Sequence, residues 1–441
     1  IYLSVTGLDD QLLGSPLSQQ NTEAAIQWMM DNFNVDPDRL YMVGFSAGAA
    51  ISANFAARHR DPDGIMIAAL GLVSSTGDWV MEYNMGDSSL QAWLENFYNF
   101  NGPPSTHLFN YQAAGTMYND QLSYPPVTSA VPQTLESMVT NLGPVPTYIT
   151  YDDQDTLLHV PVLCEQIAAT ILSVGAASLK TVTSGTMLPG PPSVPAPHSW
   201  AVLDEVELFD FLDGKSVDRL PATINTQQDL DSTVSWATTV KETADEFAYV
   251  DGTANSGTQV VTVSNAVNAK ELHLDMQAAG LTGPMPYRIQ VTNSSATPTR
   301  LFLTGFPDTP CYLKVPVLNT LVPLVDSDPG SGPTGNGTLI VDVPGMASLD
   351  ARVIHDPQWV TVLTTSPNPV NINNITMSAF PGAPAIVRIV PLDAFGDISF
   401  GQTVPNDPLL LGIRLACQAV STDGLGTLLT VSNHWGLNVN P

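Results

Sequence analysis

One pentapeptide constrains the fold of this chain more than any other feature. Gly44-Phe45-Ser46-Ala47-Gly48 follows the short apolar run from Arg39 to Val43 and precedes an alanine-rich stretch from Ala49 to His59. A strand, a tight turn and a helix are predicted in that order. The two flanking glycines let the chain make this turn without collisions of Cβ atoms, so the Ser46 hydroxyl should stand clear of the sheet. The Ala47 N–H should point to the same place from the helix N-terminus.

The elements around this turn alternate between strand and helix. Ile1 to Val5 predicts a strand, Ser15-Pro16-Leu17-Ser18 a helix start, and Gly64 to Val73 a buried strand. Further elements are predicted at 145–150 (strand), about 161–174 (helix), 178–183 (strand) and about 201–212 (helix). This alternation predicts an α/β domain over residues 1–218, with a parallel sheet and helices on both of its faces.

An exposed serine needs an oriented base before it can act as a nucleophile. In α/β folds of this type the acid follows the serine in the chain and the histidine comes last. Asp155, in the polar loop after the strand predicted at 145–150, fits the acid best, and Asp152 and Asp153 are alternatives.

The base should lie in the next loop between a strand and a helix. His198 occupies that loop, immediately before the last predicted helix. His159 is its rival, but we expect it to begin a helix. His107 is expected to touch substrate rather than to act as a base.

These residues are similar to secreted serine esterases of the α/β-hydrolase superfamily, most of all to the polyhydroxyalkanoate depolymerase and feruloyl-esterase-like group. The resemblance covers residues 1–215 and implies a Ser46, His198 and Asp155 triad, an acyl-enzyme, and an ester or polyester substrate. It implies Ala47 as an oxyanion donor and requires no metal and no cofactor. Such proteins carry several strands before the nucleophile, whereas one precedes Ser46 here. We therefore expect either that the N-terminal strands are incomplete in this sequence or that the site is completed differently.

Residues 76–126 interrupt the alternation of strands and helices with many aromatic residues. We interpret this segment as a cap or insert that contacts substrate through Trp79 and Tyr83, together with Phe45 and Trp200. Aromatic side chains offer large apolar areas to an acyl or polymer chain. The same aromatics could equally form the core of the cap.

After Gly214 the helical periodicity disappears, and short β-favouring runs alternate with turn residues. Two β-sandwich-like modules are predicted, at 219–326 and 327–441, with Ser327 to Gly337 as a candidate linker. We expect these modules to supply no catalytic side chain and to hold the enzyme on an insoluble substrate.

A net charge of −28 narrows the possible partners. Nucleic acids and anionic membrane surfaces would repel such a chain. An acidic surface suits a secreted, extracellular protein in salty water, where mobile ions screen its self-repulsion. Two other functions stay open: a serine peptidase of the same fold, and a catalytically dead, hydrolase-like binding or matrix protein. The oligomeric state is not indicated.

Overall fold

The computed structural model describes a first region of helices and strands, a second region of strands, and a set of further strands after residue 367. The described residues are 3, 14, 16–97, 102–115, 138–157, 160–176, 178–184, 198–283, 287–306, 311–314, 339–355, 368–369, 375–376, 378–379, 414–422, 428–431 and 435–438. The strand predicted at residues 1–5 and the linker predicted at 327–337 lie outside them, apart from residue 3.

Helices and parallel strands alternate through the first region. Its helices are α1 (Pro16–Asn32), α2 (Ala47–Arg58), α3 (Trp79–Met85), α4 (Ser88–Phe97), α5 (Pro104–Ala114), α6 (Val160–Ser173) and α7 (Glu205–Leu212). Its strands are β1 (Tyr41–Phe45), β2 (Ala69–Val73), β3 (Thr147–Asp152) and β4 (Leu179–Ser184). They form one sheet in the order β1-β2-β3-β4, with every neighbouring pair parallel. The predicted parallel sheet is confirmed.

Apolar side chains cover both faces of this sheet. One core cluster joins α2 and α6 to residues such as Leu70, Leu72 and Ile149. The other joins α7 to Val73 and Tyr148. The last helix begins later than predicted, because residues 200–202 form a separate 3₁₀ turn. The Asp204 side chain then caps α7 by accepting from two of its backbone N–H groups.

The described part of the aromatic segment is helical and comprises α3, α4 and α5. Its buried residues form a cluster of their own with Ala50 of α2. Ala47, the first residue of α2, packs against the same cluster. The segment therefore rests on the helix that follows the Ser46 turn.

The second region consists of strands in two sheets, which we call the β unit (residues 223–355). Its strands are β5 (Thr223–Gln228), β6 (Ser232–Val234), β7 (Ala237–Lys241), β8 (Ala248–Asn255), β9 (Val260–Val267), β10 (Ala269–Asp275), β11 (Tyr287–Asn293), β12 (Thr299–Thr304), β13 (Cys311–Lys314), β14 (Leu339–Val343) and β15 (Ala347–His355). The sheet orders are β14-β12-β10-β7-β6 and β13-β15-β11-β9-β8-β5. Buried residues from both sheets belong to one apolar core.

The strands β14 and β15 lie beyond residue 327, and they pair with β12 and β11 respectively. Strand pairing thus crosses the module boundary predicted at 326 and 327. Further along the chain lie the short strands β16 (Asn368–Pro369), β17 (Ile375–Thr376), β18 (Ser378–Ala379), β19 (Arg414–Thr422), β20 (Leu428–Val431) and β21 (Trp435–Asn438). No helix in the described ranges has the length and apolar character needed to cross a membrane.

The two regions are packed against each other. Phe247 and Tyr249 of the β unit join the core cluster that α2 and α6 form in the first region. Asn141 exchanges two hydrogen bonds with the Gln227 backbone, at 2.8 and 2.7 Å. The Arg58 side chain of α2 forms a buried ion pair with Asp229. Removing the β unit would therefore uncover part of the first region's core.

Candidate active site

Ser46 lies on the sharp turn between β1 and α2. Its φ angle of 54° is positive, a conformation that costs energy for any residue with a Cβ atom. The Ser46 N–H donates to the Val73 carbonyl at 2.9 Å, and the Ser46 carbonyl accepts from Ala49 and Ala50 as α2 begins. These bonds hold the strained turn at the carboxyl end of the sheet.

The two glycines around Ser46 have different roles. A Cβ atom on Gly44 would lie 2.1 Å from the Gly48 carbonyl oxygen, so Gly44 permits the close approach of strand and helix. A Cβ atom on Gly48 would meet nothing within 4 Å. The expectation that both glycines avoid collisions is correct for Gly44 and wrong for Gly48.

His198 and Asp155 are in direct contact. His198 Nδ1 lies 2.7 Å from Asp155 Oδ2, and the His198 side chain is 4% exposed. The other carboxylate oxygen, Oδ1, accepts from the Leu157 N–H at 2.9 Å. Because an ionised carboxylate can only accept, Nδ1 carries the proton of this pair and Nε2 is left free to act as a base.

The His198 ring also lies beside the Ser46 turn. Its centroid is 4.8 Å from the ring centroid of Phe45, the residue before Ser46. Ser46 follows β1, Asp155 follows β3, and His198 precedes α7, so all three belong to the same edge of the parallel sheet. Their catalytic roles remain predictions.

The alternative residues occupy different surroundings. Asp152 is fully buried at the end of β3, where its Oδ1 accepts from the Gln154 N–H at 2.9 Å. Asp153 is exposed and accepts from the Gln154 side chain. His107 contacts Thr106 Oγ1 at 2.8 Å within α5. His159 lies outside the described residues.

A family model described as the alpha/beta hydrolase fold matches residues 15–159. This part of the chain is an α/β-hydrolase domain. In the structure the hydrolase domain continues through α7, because β4 extends the same sheet and His198 meets Asp155.

Solved structures similar to the chain include two hydrolases. One is a hyperthermophilic esterase from the archaeon Pyrobaculum calidifontis, at 18% identity and a TM-score of 0.26, covering 38% of this chain and 50% of that one. Another is a PHB depolymerase complexed with an R3HB trimer, at 17% identity and a TM-score of 0.24, covering 50% of this chain and 64% of that one. The chain thus spans less than two thirds of either structure. Comparison with curated proteins finds no match.

The four aromatic residues predicted to contact substrate in the hydrolase domain differ in exposure. Phe45 lies against His198, and its ring centroid is 6.2 Å from that of Trp200. Trp200 is 41% exposed, whereas Trp79 is 1% exposed and lies in the core of the aromatic segment. Tyr83 is partly exposed and donates its hydroxyl to Glu95. Of these four residues, Phe45 therefore contacts the imidazole, and Trp200 lies next to Phe45.

One buried carboxylate near this edge was not foreseen from the sequence. Glu82 of α3 is buried and accepts from the Gly77 N–H at 3.3 Å. Burial raises the pKa of Glu82 to about 8, and the charge of Asp78 adds to the effect. The sequence did not indicate this burial. Glu82 lies in an aromatic segment that contains no residue of opposite charge to pair with it, so an exposed position is the ordinary expectation.

Proposed function

We propose that this chain is a secreted serine hydrolase that cleaves carboxylic esters. In this proposal Ser46 is the nucleophile, His198 the base and Asp155 the acid. The observation that carries the proposal is the 2.7 Å contact between His198 and Asp155, with the imidazole beside the strained turn that bears Ser46. A nucleophile, a base and an orienting acid are the parts that acyl transfer requires.

The reaction runs in two steps. As Ser46 Oγ forms a bond to the ester carbonyl carbon, His198 Nε2 takes the hydroxyl proton. Collapse of the tetrahedral intermediate breaks the ester C–O bond, and His198 returns that proton to the leaving alcohol. A water molecule then attacks the acyl-enzyme with the same assistance, which releases the carboxylic acid and restores Ser46. The Ala47 N–H, at the start of α2, is proposed to donate to the oxyanion.

A polyester of the polyhydroxyalkanoate kind is the proposed substrate. Phe45, beside the imidazole, and the exposed Trp200 next to it supply apolar surface, which suits an aliphatic chain. The net charge of −28 supports secretion into a salt-containing medium and disfavours polyanionic substrates.

The decisive test is covalent labelling with a fluorophosphonate probe. The wild-type chain should be labelled, and Ser46→Ala should not be, while its thermal unfolding midpoint stays close to wild type. Loss of His198 through His198→Ala should also abolish labelling, whereas His159→Ala should retain it. Labelling of Ser46→Ala would refute the nucleophile, and an unlabelled wild type would favour a dead, hydrolase-like binding protein.

Substrate class is tested on the wild-type enzyme that has not been treated with the probe. We expect turnover of p-nitrophenyl esters and of a polyhydroxybutyrate film, and little turnover of matched p-nitroanilide amides. A feruloylated sugar tests for feruloyl-esterase activity, the other specificity that the sequence resemblance implies. Faster turnover of the amides than of the esters would instead indicate a peptidase.

A further inference from the structure

A cavity of about 240 Å³ lies where the hydrolase domain meets the β unit. Its walls include Asn141, which precedes β3, Val174, which precedes β4, and Ile224 and Val234 of the β unit. Residues that precede parallel strands lie at the amino edge of the sheet, whereas Ser46 lies at the carboxyl edge. The cavity is therefore separate from the candidate active site.

Arg60 lines this cavity and carries its positive charge. Arg60 is 3% exposed, and its backbone carbonyl is held at the interface by the Ser235 N–H at 3.1 Å. Within the part of the chain that the structure describes, its guanidinium has no hydrogen bond and no ion pair within 4.0 Å. Burial lowers the pKa of Arg60 to about 10, and the exposed carboxylate of Asp218 only partly offsets that effect.

Arg58 lies two residues earlier, at the same helix end, and its guanidinium is hydrogen-bonded within the protein. It donates to the Gly14 carbonyl at 2.9 Å and to Asp229 Oδ1 at 3.2 Å, and it also bonds Asn54 and the Ala113 carbonyl. A guanidinium has five N–H donors, and leaving them unpaired in a buried position is costly. The Arg60 guanidinium instead lines the cavity, where an anion would accept the hydrogen bonds that the described residues of the protein do not.

We propose that this cavity binds a small monocarboxylate, with its carboxylate on the Arg60 guanidinium and a short hydrocarbon chain against Val174, Ile224 and Val234. The guanidinium fork matches a carboxylate with two parallel hydrogen bonds. Asp218, which also lines the cavity, disfavours a dianion such as phosphate. Because pockets for drug-sized ligands hold roughly 300–1,000 Å³, a cavity of about 240 Å³ limits the ligand to a few carbons.

The test uses the full chain, with sodium butyrate as the probe. Butyrate should raise the thermal unfolding midpoint in a saturable way, because a ligand that binds only the folded state stabilises it. Isothermal titration calorimetry should give a matching dissociation constant. Sodium chloride at equal ionic strength, neutral butyramide and sodium phosphate should each produce a clearly smaller shift.

Two variants and a matched control locate the effect. Arg60→Met should weaken butyrate affinity at least tenfold, without lowering the unfolding midpoint of the ligand-free chain, because it removes an unpaired buried charge. Ala222→Trp, at the exposed rim, should weaken binding while keeping Arg60. Arg39→Met loses the same charge from an exposed ion pair, and its butyrate affinity should stay within twofold of wild type.

Three results would overturn the proposal: a butyrate shift no larger than that of chloride, a phosphate shift equal to that of butyrate, or full butyrate affinity in Arg60→Met. The first would mean that the cavity holds only solvent, and the second that it binds anions without regard to type. Because the readout is unfolding and heat, a chain that fails the Ser46 labelling test can still pass this one.

Discussion

The hydrolase domain and the β unit differ in where they bury carboxylates. Among the described residues, the hydrolase domain buries Asp78, Glu82, Asp152 and Asp155, which end β3 or follow β2 or β3 at the carboxyl edge of the sheet. The β unit buries Asp229, and that residue is paired with Arg58 of the hydrolase domain. Buried charge is therefore concentrated at the edge proposed for catalysis and at the contact between the two regions.

The ion pairs within the β unit follow the opposite pattern. Arg288 pairs with Asp350 and Arg300 with Asp342 across neighbouring strands, and all four side chains keep about a third or more of their area exposed. The interior between the two sheets is an apolar cluster. The comparison teaches that both regions gain stability from apolar burial, but within the described ranges only the hydrolase domain also buries a group of carboxylates, which cost stability unless they are partnered.

The largest expected effect is a loss of kcat when the buried Asp155 carboxylate, which orients the His198 imidazole, is replaced. Asp155→Asn should lower kcat for a p-nitrophenyl ester by about 10⁴-fold, because the amide favours the wrong histidine tautomer. Asp152→Asn is the matched control and should keep kcat within about tenfold, since His198 Nδ1 pairs with Asp155 and the Asp152 Oδ1 accepts from Gln154. Steady-state kinetics on both variants shows which of Asp155 and Asp152 is the acid of the triad. The reverse result would move the acid to Asp152.

The next effect concerns the buried charge at the contact between the two regions. Asp229→Asn should lower the free energy of unfolding by about 3–5 kcal/mol, because Arg58 is then left buried and only partly compensated. Urea unfolding followed by circular dichroism measures the change. A change below 1 kcal/mol would show that the hydrolase domain does not depend on this contact.

A smaller, pH-dependent effect is expected at Glu82. Because its pKa is raised from 4.5 to about 8 in the folded state, the folded chain holds a proton that the unfolded chain releases between those values. Stability should therefore fall as the pH rises from 4.5 to 8. Glu82→Gln, which cannot ionise, should remove this fall and be more stable than the wild-type chain at pH 8.

Denaturant unfolding at several pH values measures this difference. The exposed Glu242→Gln is its control and should follow the wild-type pH dependence. An unchanged pH profile in Glu82→Gln would mean that Glu82 ionises normally in the folded chain.

The smallest effect is expected from the exposed pairs of the β unit. Asp342→Asn breaks the ion pair with Arg300, whose side chains are both about half exposed. Such pairs contribute roughly 0–1 kcal/mol, so the free energy of unfolding should change by no more than that. Both variants are measured by the same urea unfolding. If Asp342→Asn lowered the free energy of unfolding as much as Asp229→Asn, the proposed difference between exposed and buried ion pairs would be wrong.

Local patterns were sufficient for β1 to β4 and for α1, α2 and α6, but they did not predict the helices α3 to α5 of the aromatic segment. The apolar run before Ser46 and the alanines after it predicted β1 and α2, since a strand and a helix each have their own periodicity. The order of loops along the chain placed Asp155 and His198 at the same edge, where the structure shows them in contact. The start of α7 was less accurate, because a side-chain cap at Asp204 overrides the apolar pattern.

What the sequence by itself determined is therefore the type and order of the elements and the turn that bears Ser46, because these depend on neighbours in the chain. The tertiary structure alone decided which aromatics face the site. It buried Trp79 in the aromatic segment and left Trp200 exposed beside Phe45. It likewise paired Arg58 with Asp229, which lies far away in the chain, and left Arg60 facing a cavity. Periodicity cannot distinguish two arginines at the same helix end, because the packing of a distant region decides which of them finds a partner.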